Sequence, residues 1–254
     1  MIRENSLMTS APIRPDPRLH ILFESADLLV VRKPAGLACH PTKTDAWSSL
    51  AGRLRLHLGG EAPVRLVHRL DRETSGVVIA AKTRDTARAL GQTFEAGKVS
   101  KRYWALVHGH PRQPLGFIEA PLGPDPLSLV AIKDCVRPDG QPAATAWREL
   151  QRWSNGDHLF SWLEVEPRTG RKHQIRIHLA SIGHPIVGDK LYGLDERHYL
   201  DFVNHALTPT QCEKLMLPHH ALHARSLSFA WAGREFVFEV EPEFWFMQFI
   251  RAVS

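Results

Sequence analysis

The chain has 254 residues, 43% hydrophobic and 23% charged, and its 32 Lys and Arg outnumber 27 Asp and Glu for a formal charge of +5. That length can bury the core of one large domain or two small ones, and the basic balance favours a polyanionic partner. Cys39, Cys135 and Cys212 are widely spaced and odd in number, which gives no disulfide framework and suits a reducing compartment. No apolar run approaches the roughly 18 residues of a membrane span. Residues 1–18 lack the apolar stretch of a secretory signal and carry Pro12, Pro15 and Pro17, so they read as a disordered or extended lead-in. A cytoplasmic protein is expected.

In chain order, short β-branched runs predict strands over 19–23 and 28–32. Trp47, Leu50, Leu54 and Leu58 recur at helical spacing and predict a helix over 47–58. A strand over 64–67 leads into His68-Arg69-Leu70-Asp71-Arg72-Glu73-Thr74-Ser75-Gly76 and a buried strand over 76–81. Thr83 is a natural N-cap for a helix over 83–96 that Gly97 ends. Strands follow over 103–108, 117–120, 128–133, 143–150 and 158–166. A helix over 172–182 carries Ile175, Leu179 and Ile182 on one stripe; strands over 222–231 and 235–240 and a helix over 243–253 complete the set. Strands outnumber helices and do not alternate with them, which argues against a parallel doubly wound sheet. The expected fold is α+β, a mixed and mainly antiparallel sheet with a few packed helices, and 19–254 form one catalytic domain.

Three segments carry chemistry. Asp71 lies between Arg69 and Arg72, and nearby cations hold a carboxylate ionised. It precedes the polar Thr74-Ser75-Gly76 turn at a strand end, where catalytic groups are often held. A structural salt bridge is the rival reading of the same residues. The second segment, 166–178, places Arg168, Arg171 and Lys172 at a helix N-terminus, where the dipole disfavours cations by roughly 0.3–1 kcal/mol each. A phosphate-rich partner would favour them, and His173 and Arg176 share a helix face. In the third, Lys98, Lys101 and Arg102 precede Tyr103 and Trp104, which alternate across a strand. One ring enters the core and the other is free to stack on a base.

Other chemistries lack their motifs. The group His219-His220-x-x-His223 shows no fourth metal ligand, and neither phosphate-binding glycine motif is present, so no metal and no nucleotide cofactor is expected.

These segments resemble the RluA-type family of RNA pseudouridine synthases. Val30 to Leu37 is similar to its early strand and Lys-Pro-x-Gly turn, and His68 to Lys82 to its H-R-L-D-x-x-T-S-G signature. Lys101 to Gly109 resembles its K-x-Y-x-A-x-V-x-G strand, Arg168 to Asp189 its R-T-G-R-x-H-Q-I-R-x-H-L segment, and Leu222-His223-Ala224 its late L-H-A strand. The resemblance covers about 19–240 in the family's order. It implies a sheet bent around a central cleft and a cofactor-free reaction, in which a uridine of ribosomal or transfer RNA is cut at N1–C1′, turned and rejoined through C5. Asp71 is then the essential carboxylate, as nucleophile or as base. Tyr103 is the residue against the target base, and Arg176 is the partner of the carboxylate. Arg69 stands near the space the flipped base leaves, and Arg72, Thr74, Arg168, Arg171, Lys172 and His173 are expected to bind substrate.

The S4-type RNA-binding domain of many relatives is expected to be absent, because about 18 residues precede the first strand. Arg32 departs from the Asn or Asp expected before Lys-Pro. The partner expected is an RNA stem-loop, bound by a monomer and away from any membrane. Two rival classes stay open: an RNA-binding protein without catalysis, and a glycoside hydrolase, which needs a second carboxylate about 5–10 Å away. Glu73 is the nearest, and it is expected to point away.

Overall fold

The computed structural model describes residues 19–41, 48–59 and 63–253; the lead-in expected over 1–18, and Trp47 of the first helix, lie outside them. Strands β1 (His20–Glu24), β2 (Leu28–Lys33) and β4 (Ser75–Ala81) form an antiparallel half-sheet, with the short β3 (Arg65–Leu66) against β4. β2 and β4 are buried on both faces, which is why 77–81 read as an unbroken apolar run. Leu29, Val31, Val78 and Ala80 face helix α1 (Leu50–His57) through Leu50 and Leu54. Leu28, Val30, Val77 and Ile79 face helix α2 (Arg84–Glu95) through Leu90. Thr83 caps α2 by accepting from the Thr86 amide, as its sequence position predicts.

The second half pairs β5 (Ser100–His108) with β10 (His158–Pro167), β10 with β9 (Ala144–Asn155), and β9 with the edge strand β6 (Leu115–Glu119), all antiparallel. Strand β11 (Leu222–Trp231) joins the halves. It runs antiparallel to β5 and to β12 (Arg234–Glu239), and parallel to β4, with His223 beside Ser75 and Ala224 beside Gly76. Helices α3 (Gln174–Ser181) and α6 (Phe244–Val253) cover this half through Ile175, Leu179, Phe246 and Ile250. Among the described residues no helix is long and apolar enough to cross a membrane.

The strand expected over 128–133 does not form. That segment is the turn between two short strands, β7 (Leu122–Pro124) and β8 (Asp134–Val136). Local side chains capture its amides: Leu127 donates to Asp125 Oδ1 and Val130 to Ser128 Oγ, which competes with strand pairing. Glu196 completes the turn by accepting from Ser128 Oγ, the Leu129 amide and Lys133 Nζ. Two short helices were not foreseen. For α5 (Pro209–Leu215) the signal was present, Thr208 and Gln211 forming a reciprocal cap with Pro209 in the first turn. For α4 (Arg197–Val203) it was not, since Glu196 at its start makes no side-chain cap.

Gly76 has φ +122°, and a Cβ there would collide with the Ala224 backbone across the parallel join. Gly76→Ala should therefore destabilise the protein by at least about 2 kcal/mol, from backbone strain and overpacking together. A urea midpoint unchanged from the parent would contradict that close approach.

Candidate active site

Asp71 sits on the loop before β4, and two features fix that loop. Thr74 donates its amide to the Asp71 carbonyl, closing the turn. Lys33, fully buried, donates from Nζ to the carbonyls of Pro34, Leu37 and Arg72, tying the early Lys-Pro turn to the Asp71 loop. Burial pushes the Lys33 ammonium down to about 8, and it remains largely charged at neutral pH. His68, beside the loop, accepts from the Ile79 amide and stacks on Phe94 at 4.9 Å. Burial pushes it to about 3, so it is neutral and structural.

The partner of Asp71 comes from α3. Arg176 donates from Nη1 to Asp71 Oδ2 at 2.8 Å, and from Nε and Nη2 to the two oxygens of Asp189 at 2.7 and 2.9 Å. Asp189 Oδ1 also accepts the amides of Leu191 and Tyr192. The two carboxylates differ in access: the Asp71 side chain is 20% exposed and that of Asp189 is 0% exposed. Burial works against both charges, and the shared guanidinium overrides it, holding Asp71 at about 2 and Asp189 well below the usual carboxylate range. The ionisation of Asp71 therefore comes from Arg176 and not from its sequence neighbours. Arg69 carries no hydrogen bond or ion pair among the described residues, and Arg72 donates to the Gly36 carbonyl.

Glu73 turns to Lys190 rather than to Asp71. Both its oxygens accept from buried Lys190, and His219 and His220 stand 3.7 Å away. Burial opposes its charge, and these groups overcome that and hold it at about 2. The three-histidine group is structural. His223 lies between Ser75 Oγ and the Val240 carbonyl, and His220 lies against Thr74 Oγ1 at 2.7 Å. Among the described residues no cluster of His, Cys, Asp or Glu could hold a metal ion.

A cavity of about 510 Å3 opens on Asp71. Of the residues singled out in sequence it brings together Arg69, Asp71, Thr74, Tyr103, Arg168, Arg171, His173 and Arg176. Arg72 lines a neighbouring cavity instead, and Lys172 lines neither, being paired with Asp134 at 2.9 Å. Tyr103 is the ring that faces the cavity; Trp104 packs edge-on against Trp162 at 4.7 Å. Burial, then the charge on Asp71, pushes the Tyr103 phenol far up, so it is a neutral donor. His173 starts α3 with φ 55°, bonds Tyr192 Oη through Nδ1, and sets Nε2 3.9 Å from Asp71. Burial pushes His173 to about 4, so it is neutral at pH 7. Helix α3 is buried from Gln174 to Leu179 rather than along one stripe, with Ile182 exposed. The site therefore holds an ionised carboxylate, a guanidinium that fixes it, an aromatic floor and a cationic rim. Sequence reasoning missed Asp189 as the second holder of Arg176. Its signal was the Gly-Asp that ends the second motif.

Residues 27–181 match the family model described as RNA pseudouridylate synthase. A Bacillus subtilis protein described as the uncharacterized RNA pseudouridine synthase YhcT is 41% identical over 178 residues, 69% of this chain and 58% of that protein. Ribosomal large subunit pseudouridine synthase D of Zymomonas mobilis is 34% identical, over 89% of this chain and 70% of that protein. The chain spans 58% and 61% of the length of the first two curated relatives it matches. Among solved structures, human RNA pseudouridylate synthase domain containing 4 superposes with a TM-score of 0.68 at 28% identity, covering 91% of this chain and 92% of that one. Human RNA pseudouridylate synthase domain containing 1 gives 0.70 at 25% identity, covering 89% and 84%. The fold, the motifs and these likenesses agree, and the chain belongs to the RNA pseudouridylate synthase family.

Proposed function

We propose that this chain is an RNA pseudouridine synthase of the RluA type, an isomerase that converts uridine to pseudouridine in structured RNA with Asp71 as the essential carboxylate and no cofactor. The observation that carries this reading is the ion pair of Asp71 with Arg176, 2.8 Å long, opening on a cavity large enough for a nucleoside and faced by Tyr103. Residues 19–254 are read as one catalytic domain, working in the cytoplasm as a monomer. The relative named for the ribosomal large subunit favours ribosomal over transfer RNA as substrate.

In this reading the uridine leaves its stack and enters the cavity, at a cost of a few kcal/mol that is least in loops. Contacts from Arg168 and Arg171 to the phosphates offset that cost. Asp71 delivers its electron pair to C1′ or to a sugar proton, and the N1–C1′ bond breaks. The detached base turns against Tyr103, C5 bonds to C1′ as Asp71 leaves that carbon or returns the sugar proton, the C5 proton leaves, and N1 ends protonated. The product has the atoms of the substrate. Because Tyr103 is held as a neutral phenol, it acts on the C5 proton only by passing on its own.

The glycoside-hydrolase reading loses its second carboxylate: Glu73 is bound to Lys190 and does not line this cavity, and Glu95 lies exposed at the rim. Non-catalytic RNA binding gives no reason for an ionised carboxylate to be held at the cavity floor.

Asp71→Asn should abolish pseudouridine formation in ribosomal RNA taken from cells lacking this gene, by at least about a hundredfold, while RNA binding persists. Mapping pseudouridines before and after incubation checks this; undiminished conversion would leave only the binding reading. Arg176→Ala should also lose most turnover, because it leaves Asp189 and Asp71 without their shared cation, and near-normal conversion would refute the pairing. The folded value of Asp71 lies below the ordinary carboxylate value, so its charge stabilises the fold above about pH 4 and that contribution disappears as the pH falls through about 2. Single-turnover conversion should accordingly show no acid limb from Asp71 between about pH 5 and pH 8. A limb in that window that moves in Asp71→Glu would contradict the geometry. Affinity for RNA should fall steeply as salt rises; an affinity flat with salt would exclude the cationic rim from binding.

A further inference from the structure

A second cavity of about 370 Å3 lies on the other side of the Asp71–Arg176 pair, in the size range of small-ligand sites. The two cavities share Arg69, Leu70, Asp71, His173 and Arg176, so they meet at the catalytic carboxylate. The far wall is helix α4, which presents Tyr199 and Phe202. Lys190 covers Phe202 at 4.7 Å from the ring centroid. Tyr199 is half-buried, its ring has no aromatic or cationic partner, and its hydroxyl makes no hydrogen bond among the described residues. The ring packs against the apolar cluster that includes Leu191 and Tyr192 and also lines the cavity; a ring so held, with an unused hydroxyl, matches the face and the edge of a heteroaromatic base.

We propose that this second cavity binds one nucleobase of the RNA strand adjacent to the target uridine, with Tyr199 stacking on its face and reading its edge. The inference rests on the reading of the first cavity as the uridine site, and adds a specificity residue to it. Charge selects the occupant. Arg69 and Arg72 stand over the opening, where the phosphates joining two neighbouring nucleotides would pass. The inner surface pairs Asp71 with Arg176 and Glu73 with Lys190, so its charges are already answered and it suits an uncharged base. The shared wall sets the distance. A strand that places one base beside Asp71 has its next nucleotide within reach of the adjoining space, since five residues border both cavities.

The test is a binding selection on RNA hairpins with randomised loops, using the full chain, Tyr199→Ala and Tyr199→Phe. Bound loops are sequenced and their pseudouridines mapped in the same sample. The full chain should enrich a uridine together with a preferred base at one neighbouring position. Tyr199→Ala should lose the neighbour preference by about tenfold, as expected when a stacking ring is removed, and keep the preference for uridine. Tyr199→Phe retains the ring and the packing of α4, so it should keep affinity and change which neighbouring base is preferred. The proposal is overturned if the full chain shows no neighbour preference, or if that preference survives in Tyr199→Ala. If Tyr199→Ala erases the preference but no bound loop contains pseudouridine, the subsite stands and the isomerase reading falls.

Discussion

One buried guanidinium sets the chemistry of this molecule. Arg176 is embedded in a helix buried from Gln174 to Leu179, and an unpaired charge there would be very costly. Two carboxylates answer it. Asp189 takes two of its nitrogens in a fork, the arrangement that fixes orientation best. The remaining nitrogen is thereby aimed at Asp71. One cation between two anions leaves a net charge of −1. Glu73 and Lys190 next door cancel each other, so the excess stays with this triad. It resides on the carboxylate with access to the cavity, since Asp189 has none.

The position of the triad depends on the parallel join of β4 and β11. His223 of the late motif donates from Nε2 to the Val240 carbonyl, which leaves Nδ1 to accept from Ser75 Oγ of the early one. His220 and Thr74 make a second bolt across the same join. Motifs some 150 residues apart are thus two sides of one ladder, and Gly76 exists because the strands approach too closely for a side chain. On the other side of β11, Tyr103 pairs with Ala224. The register of three strands therefore sets the aromatic floor and the Asp71 loop in one frame, and α3 then brings Arg176 to it.

What could be read in the sequence followed local rules. The strands 28–32 and 76–81, the cap at Thr83 and the residues facing the cavity all rest on short-range pattern or on motif resemblance. What local pattern could not give were long-range pairings, and Arg176 as the partner of Asp71 came only from the family resemblance. Arg69 and Arg72 are the nearest cations to Asp71 in sequence, and neither bonds it; the partner lies 105 residues on. Glu73 gave no sign of its pairing with Lys190, and Asp189 only the Gly-Asp that ends the second motif, because burial and partner identity are properties of the assembled sheet. The turn 128–133 misled because Leu129 to Ile132 form a short unbroken apolar run that reads as a strand, yet Leu129 is 69% and Ile132 45% exposed, and Asp125, Ser128 and Glu196 take the amides. Lys172 was expected at the substrate and is instead paired with Asp134 at the β8 end.

The cations around the cleft divide by what they already hold. Arg72 donates to Gly36, Arg171 to Pro142, Lys101 to Thr169, and Lys172 pairs with Asp134. Each of these secures a loop, so it meets RNA from a fixed position. Arg69 secures nothing among the described residues, yet it borders both cavities. Its side chain can enter an RNA loop without breaking a hydrogen bond or ion pair to the described residues, so its loss should weaken RNA engagement more than the fold. That freedom is useful only because the neighbouring Asp71 does not need it: Arg176 already satisfies the carboxylate from beneath, and the cation nearest in sequence is released to the substrate.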